Sequence, residues 1–154
     1  MNTEQVEQRA YDFFQGGLHC AESVLAAIME ASGNPGNAVT PRMATAFGGG
    51  VGRSQEEMCG ALSGGLMALG LLNGRSQAGE NWDAVAASAA QYRSRFEGLC
   101  GRIRCKEVLE ALGPQENMEQ CKRLTARAAG LLWDLLGSQE GGGQALTCGC
   151  CSKG

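Results

Sequence analysis

The most chemically versatile residues of this 154-residue chain are its eight cysteines, which are more than a protein of this length usually contains. Thiolates bind soft metals and iron–sulfur clusters, and they also form reversible disulfides. The first residues, MNTEQVEQRAYDFF, contain no signal-peptide pattern, so we expect a cytoplasmic protein, in which static disulfides are rare. The cysteines therefore predict metal ligation, cluster ligation or reversible thiol chemistry.

Three cysteines lie near predicted helix starts, where the helix dipole favours thiolate over thiol. Cys20 lies in a first turn, Cys105 opens a short helix between two basic residues, and Cys59 follows a Ser54 to Glu57 capping box in the opening turns of a helix. We predict that Cys59 has a lowered pKa and reacts first, with Cys105 as its partner. Cys121, set further into the last helix, gains less from any dipole.

Other motifs are weaker. Small residues beside Cys59, among them Gly60 and Gly64, predict close approach of another backbone or of a bulky inorganic group. His19 precedes Cys20, but adjacent helical residues point about 100° apart, which predicts a surface or capping histidine rather than a catalytic partner. The stretch FGGGVGRS has neither the GxGxxG pattern nor P-loop spacing, so a nucleotide site is not expected.

The elements that must position these cysteines are helices. Apolar residues recur every three or four positions, and no strand pattern is visible, which predicts a compact all-α single-domain bundle of six or seven helices. Residues 1–137 form this domain. Residues 138–154 read as a flexible glycine-rich linker and a Cys-rich tail. The predicted helices span about 3–15, 18–31, 40–47, 54–72, 81–100, 105–112 and 116–137.

Charge and hydropathy exclude two classes of partner. A formal net charge of −3 gives no positive electrostatic field that would attract nucleic acid or an anionic membrane. The longest uncharged stretch, residues 58–74, contains five glycines and is too short for a spanning helix. We therefore expect no nucleic acid and no membrane-embedded segment. Neither the charge nor the pattern predicts an oligomeric state.

Four segments taken together resemble the C-GCAxxG-C-C family, which is named as redox-active. They are HCAESVL, AFGGGVGRSQEEMCGALSGGLMALGLLNG, RFEGLCGRIRCKEVL and the cysteine that opens the last helix. The resemblance places the four family cysteines on Cys20, Cys59, Cys105 and Cys121, with Gly60, Ala61 and Gly64 completing the central motif. Met58 replaces the motif's first glycine. Cys100 and the tail cysteines, Cys148, Cys150 and Cys151, have no family counterpart.

The resemblance implies a small helical redox protein without a defined reaction. Its four cysteines would be catalytic or metal-ligating, with Gly60, Ala61 and Gly64 at the cofactor. Four thiolates allow three disulfide pairings and equally suit an iron–sulfur cluster, the leading cofactor, or zinc, or no cofactor at all. A redox or transport protein is the expected partner.

One alternative function is a carrier of a soft metal, sulfur or selenium species, with the tail as delivery arm. Another is an interaction module with inert packed cysteines.

Overall fold

The computed structural model describes residues 1–34 and 39–140, with the backbone alone for residues 39, 40, 139 and 140. Over these residues the chain forms seven α-helices and no strand, which confirms the all-α prediction. None of the described helices is long and apolar enough to cross a membrane. The predicted tail cysteines lie outside the described residues. The helices are α1 (Thr3–Gln15), α2 (Cys20–Ala31), α3 (Val39–Ala44), α4 (Gly60–Asn73), α5 (Asp83–Cys100), α6 (Cys105–Leu112) and α7 (Glu119–Glu140).

Several helix ends are set by local caps. The Asn2 side chain accepts a hydrogen bond from the Gln5 N–H at 2.9 Å, and the Gln5 side chain accepts one from the Asn2 N–H at 2.9 Å. This reciprocal capping box starts α1. Gly101 and Gly113, with φ of 74° and 76°, follow the last residues of α5 and α6. Positive φ is easy for glycine, so these ends agree with the sequence.

The predicted capping box at Ser54 and Glu57 is wrong. The Ser54 hydroxyl donates to the Gly50 carbonyl at 2.7 Å, and the Glu57 carbonyl accepts the Cys105 N–H at 2.8 Å. These contacts hold the segment in turns, so α4 begins only at Gly60, with Cys59 as its N-cap residue. A pairing with a distant segment has replaced a local cap.

Two further boundaries differ from the prediction. The α3 helix begins at Val39, so the predicted cap Thr40 lies inside it, and a 3₁₀ turn at Thr45–Phe47 continues it. The α7 helix begins at Glu119 rather than near residue 116, because Asn117 and Met118 have positive φ values of 48° and 58°. Cys121 is therefore the third residue of α7. The helix also continues to Glu140, three residues beyond the predicted end of the domain.

The core is built around α2, which packs against α1, α4 and α7. Glycines of α4 allow the closest contacts. A Cβ at Gly64 would overlap the Ala21 carbonyl of α2, and one at Gly65 would overlap the ring of Tyr92. The buried Tyr92 hydroxyl donates to the carbonyls of Ala61 and Ala128 at 3.3 and 3.2 Å, joining α4, α5 and α7. The small residues thus bring the N-terminal ends of α2 and α4 side by side.

Candidate redox site

The four predicted cysteines line one cavity of about 460 Å³, here called the thiol cavity. Cys20 is the first residue of α2, Cys59 is the N-cap of α4, Cys105 is the first residue of α6, and Cys121 is the third residue of α7. Each cysteine therefore lies at the beginning of a different helix. Four helix N-termini direct partial positive charge toward one cavity, an environment that favours anionic sulfur.

A short antiparallel pairing joins the segments that carry Cys59 and Cys105. Met58 lies opposite Arg104, and the Cys59 N–H donates to the Ile103 carbonyl at 2.7 Å. Cys59 and Cys105 are thus diagonal neighbours on the same face of the pairing, a relation with a typical spacing of about 7–8 Å. This pairing aligns the starts of α4 and α6 at the cavity.

Gly60 brings a second thiol to Cys59. A Cβ at Gly60 would overlap the Sγ of Cys20 and would lie 3.0 Å from the Phe47 carbonyl oxygen. The sulfur of Cys20 therefore rests against the backbone directly beside Cys59. The close approach predicted for Gly60 and Gly64 is made by α2 and its cysteine. Gly60, Ala61 and Gly64 do not line the thiol cavity, and their assignment to a cofactor stays a prediction.

His19 also lines the cavity, and its Nδ1 lies 3.3 Å from the Sγ of Cys20. His19 is the N-cap residue of α2, which agrees with the prediction of a capping histidine. The expectation that the two side chains face different directions is wrong, because the backbone of His19 is extended and the helical angle does not apply to it. Burial and the positive charge of Arg53 lower the pKa of His19, while Glu22 opposes them. The neutral imidazole is thus the favoured form beside the Cys20 thiol.

Burial controls the protonation of the thiols. Cys59 is 7% exposed, and desolvation raises its pKa well above the ordinary range, so the predicted lowering at Cys59 is wrong. Burial raises the pKa of Cys105 to about 11, and it also raises that of Cys20 and Cys121. A thiolate at Cys20 or Cys121 further raises the pKa of Cys59 and of Cys105. The helix dipoles are outweighed by desolvation of the charged form.

Hydrogen-bond donors to sulfur partly offset this burial. The backbone N–H groups of Gly49 and Ala21 lower the pKa of Cys20. The Gln115 Nε2 lies 3.1 Å from the Sγ of Cys121, while its Oε1 accepts the Cys121 N–H at 3.0 Å. Sequence reasoning missed Gln115. The only available signal was a polar side chain shortly before a helix start, which can cap that helix from outside.

The cavity cysteines are unpaired thiols. All five cysteines of the described residues, Cys100 included, are free, and Cys100 does not line the cavity. Over the same residues no group of three or more His, Cys, Asp or Glu side chains is arranged to hold a metal ion. The four thiols thus surround a common cavity, but no three of them converge on a single position.

Comparison with known families agrees with this cysteine pattern. The profile of the family described as "Putative redox-active protein (C_GCAxxG_C_C)" matches residues 18–135. The chain belongs to this family. The match spans all four cysteines of the thiol cavity and confirms the family resemblance. Searches of curated proteins and of solved structures gave no significant match.

Proposed function

We propose that this family member is a thiol redox protein whose working groups are the four cysteines of the thiol cavity, with Cys20 and Cys59 as the central pair. One observation carries the proposal: the Cys20 sulfur rests against the backbone of Gly60, immediately after Cys59, inside a cavity that two further thiols line. Two thiols held side by side suit reversible disulfide formation, which needs Cβ atoms about 3.5–4.5 Å apart.

The neighbouring groups support a defined order of events. The Cys20 thiol donates a hydrogen bond to neutral His19, and the N–H groups of Gly49 and Ala21 stabilise the thiolate that forms when the proton is lost to solvent. The thiolate attacks a partner disulfide, and the Cys59 sulfur then resolves the mixed disulfide. Two electrons and two protons leave the cysteine pair, and the partner is reduced to two thiols. The cytoplasmic location that we expect would keep the cavity reduced between turnovers.

The donor set also favours a second candidate, an iron–sulfur cluster. Four cysteines are the ligand set of such clusters, and no carboxylate is among the described residues that line the thiol cavity. Cys20, Cys59, Cys105 and Cys121 would hold the cluster, which would supply one-electron transfer. The N-terminal ends of four helices would offset the negative charge of the thiolates. Zinc at a single point fits less well, because no three donors in the described part of the chain converge on one position.

A carrier of soft metal, sulfur or selenium cargo remains a prediction, since its proposed delivery arm lies outside the described residues. Deleting residues 138–154 is expected to reduce cargo transfer without unfolding the helices. Equal transfer by the full-length and shortened chains would contradict this alternative. Uniformly slow alkylation of all four cavity cysteines together with an absence of redox chemistry would instead favour the interaction module.

The decisive experiment is anaerobic purification followed by iron, zinc, sulfide and thiol assays. It uses a background in which the cysteines outside the family set, Cys100, Cys148, Cys150 and Cys151, are serine. The proposal predicts a colourless protein that loses thiols in pairs on oxidation, with Cys20→Ser or Cys59→Ser abolishing the first loss. A brown, iron-containing protein bleached by reductant selects the cluster. Four thiols that all survive oxidation in a metal-free protein would contradict both.

A further inference from the structure

The thiol cavity has a charge asymmetry that its redox groups do not explain. Among the described residues that line it, Arg53 is the single permanently charged side chain, and none is Asp or Glu. The remaining polar contributors are thiols, His19, Gln55 and Thr125. A small molecule entering the cavity therefore meets one full positive charge and no negative one.

Within the described residues, Arg53 forms neither an ion pair nor a side-chain hydrogen bond. Four arginines there do form ion pairs, among them Arg104 with Glu56 at 2.6 Å and Arg9 with Glu30 at 2.8 Å, and Arg53 is one of the arginines that do not. The Glu22 carboxylate beside His19 accepts its hydrogen bonds from the His19 N–H and the Thr45 hydroxyl, and it forms no ion pair with Arg53. The guanidinium thus keeps its full charge for a ligand.

The backbone holds Arg53 at the cavity in an unfavourable conformation. Residues 49–53 all have positive φ, with Val51 at 66° and Arg53 at 62°. For residues with a side chain this left-handed region is unfavourable. Hydrogen bonds from the Arg53 N–H to the Gly48 carbonyl at 3.1 Å, and from the Gln55 N–H to the Gly49 carbonyl at 3.0 Å, maintain the turn. Such strain is typical of functional sites.

We propose that Arg53 recruits a small anionic disulfide as the oxidant of the thiol cavity. This inference rests on the proposed function and names its substrate class. A cavity thiolate attacks one sulfur of the anionic disulfide RS–SR, forming a protein–SR mixed disulfide and releasing RS⁻. A second cavity thiolate attacks the mixed disulfide and releases another RS⁻. The protein gains one disulfide and loses two electrons, and its two thiol protons pass to the two RS⁻ groups.

The test uses two chromogenic disulfides that differ in charge, the dianion 5,5′-dithiobis(2-nitrobenzoate) and neutral 4,4′-dithiodipyridine. The full chain carries serine at Cys100, Cys148, Cys150 and Cys151. Reaction rates are measured for the otherwise unaltered protein, for Arg53→Gln, for Arg53→Lys and for Arg75→Gln, a matched control at an exposed arginine that does not line the cavity.

At low salt, Arg53→Gln is expected to slow the dianion about fivefold and to leave the neutral reagent unchanged, because one attraction of charge is removed. Arg53→Lys and Arg75→Gln should retain the rate, and salt should reduce the difference. Equal rates with the dianion for Arg53→Gln and the unaltered protein would overturn the inference. Equal slowing of both reagents would also overturn it, since that result indicates a change in structure rather than in charge.

The number of thiols released tests the proposed function separately. If the cysteines act as a pair, two reagent thiols are released for each protein disulfide formed, and mass spectrometry detects no remaining mixed disulfide. A persistent mixed disulfide would contradict the pairing while leaving an Arg53-dependent rate intact. If the cysteines form the expected disulfide but the reaction rate does not depend on Arg53, only the proposed role of Arg53 in recruiting the anionic disulfide is overturned.

Discussion

Two cavities at opposite ends of α7 show what makes one of them a candidate for chemistry. The thiol cavity lies at Cys121, and a second one of about 640 Å³, here called the distal cavity, lies about 22 Å along the helix at Leu136. The distal cavity is larger, yet its described lining contains no cysteine, histidine or charged residue. It is formed largely where helices end, whereas helices begin at the thiol cavity. Volume alone therefore does not identify the site.

The largest effect should appear in the pH dependence of thiol reactivity at the thiol cavity, the one of the two with cysteines in its described lining. Burial raises the pKa of Cys105 from 9.0 to about 11, so at pH 8 its thiolate fraction is about a hundredfold below that of a thiol at 9.0. Because the thiolate is the reactive form, alkylation of Cys105 in the reduced, metal-free protein should rise through pH 11. Peptide mass spectrometry would measure it, and a plateau near pH 9 would contradict the prediction.

The packing of α4 should differ between its two ends. Gly64→Ala forces a Cβ into the Ala21 backbone and should lower the free energy of unfolding by about 1–3 kcal/mol. Gly70→Ala, nearer the distal cavity, has open space and should raise it by about 0.5–1 kcal/mol, because alanine favours the helix. Urea unfolding followed by circular dichroism compares them. Equal effects of the two substitutions would show that the α2 to α4 contact is not tight.

A smaller effect is expected at Cys121. Gln115→Leu removes the hydrogen bond that lowers the pKa of this thiol, so alkylation of Cys121 at pH 8 should slow by about three- to tenfold. Gln120→Leu, at an exposed neighbouring position in α7, is the matched control. If both variants slow Cys121 to the same extent, the contact between Gln115 and the sulfur has no specific role.

The smallest effect should follow a change in the distal cavity. Val85→Ala enlarges it, while the rates of alkylation at the four cysteines of the thiol cavity should change by less than about twofold, because distant sites act independently. The same mass-spectrometric assay applies. A larger change would show that the two cavities are coupled and do not behave as independent sites.

The prediction of the helices succeeded where local interactions decide them. Gly113 ends α6 as expected, because this glycine with positive φ directly follows the helix that it ends. It failed at Ser54, where hydrogen bonds to Gly50 and a pairing with the segment before α6 hold the chain in turns. It also failed at Asn117, whose positive φ delays the start of α7. Local patterns do not contain these tertiary contacts.

The sequence by itself determined the all-α fold, the family and the four cysteines of interest, since helical periodicity, caps and motif residues are local properties. Tertiary structure decided the rest. It brought the four thiols to one cavity, set His19 against Cys20, and placed Arg53 at the lining. It also reversed the expected pKa shift of Cys59, because desolvation depends on the atoms that distant helices pack around a sulfur.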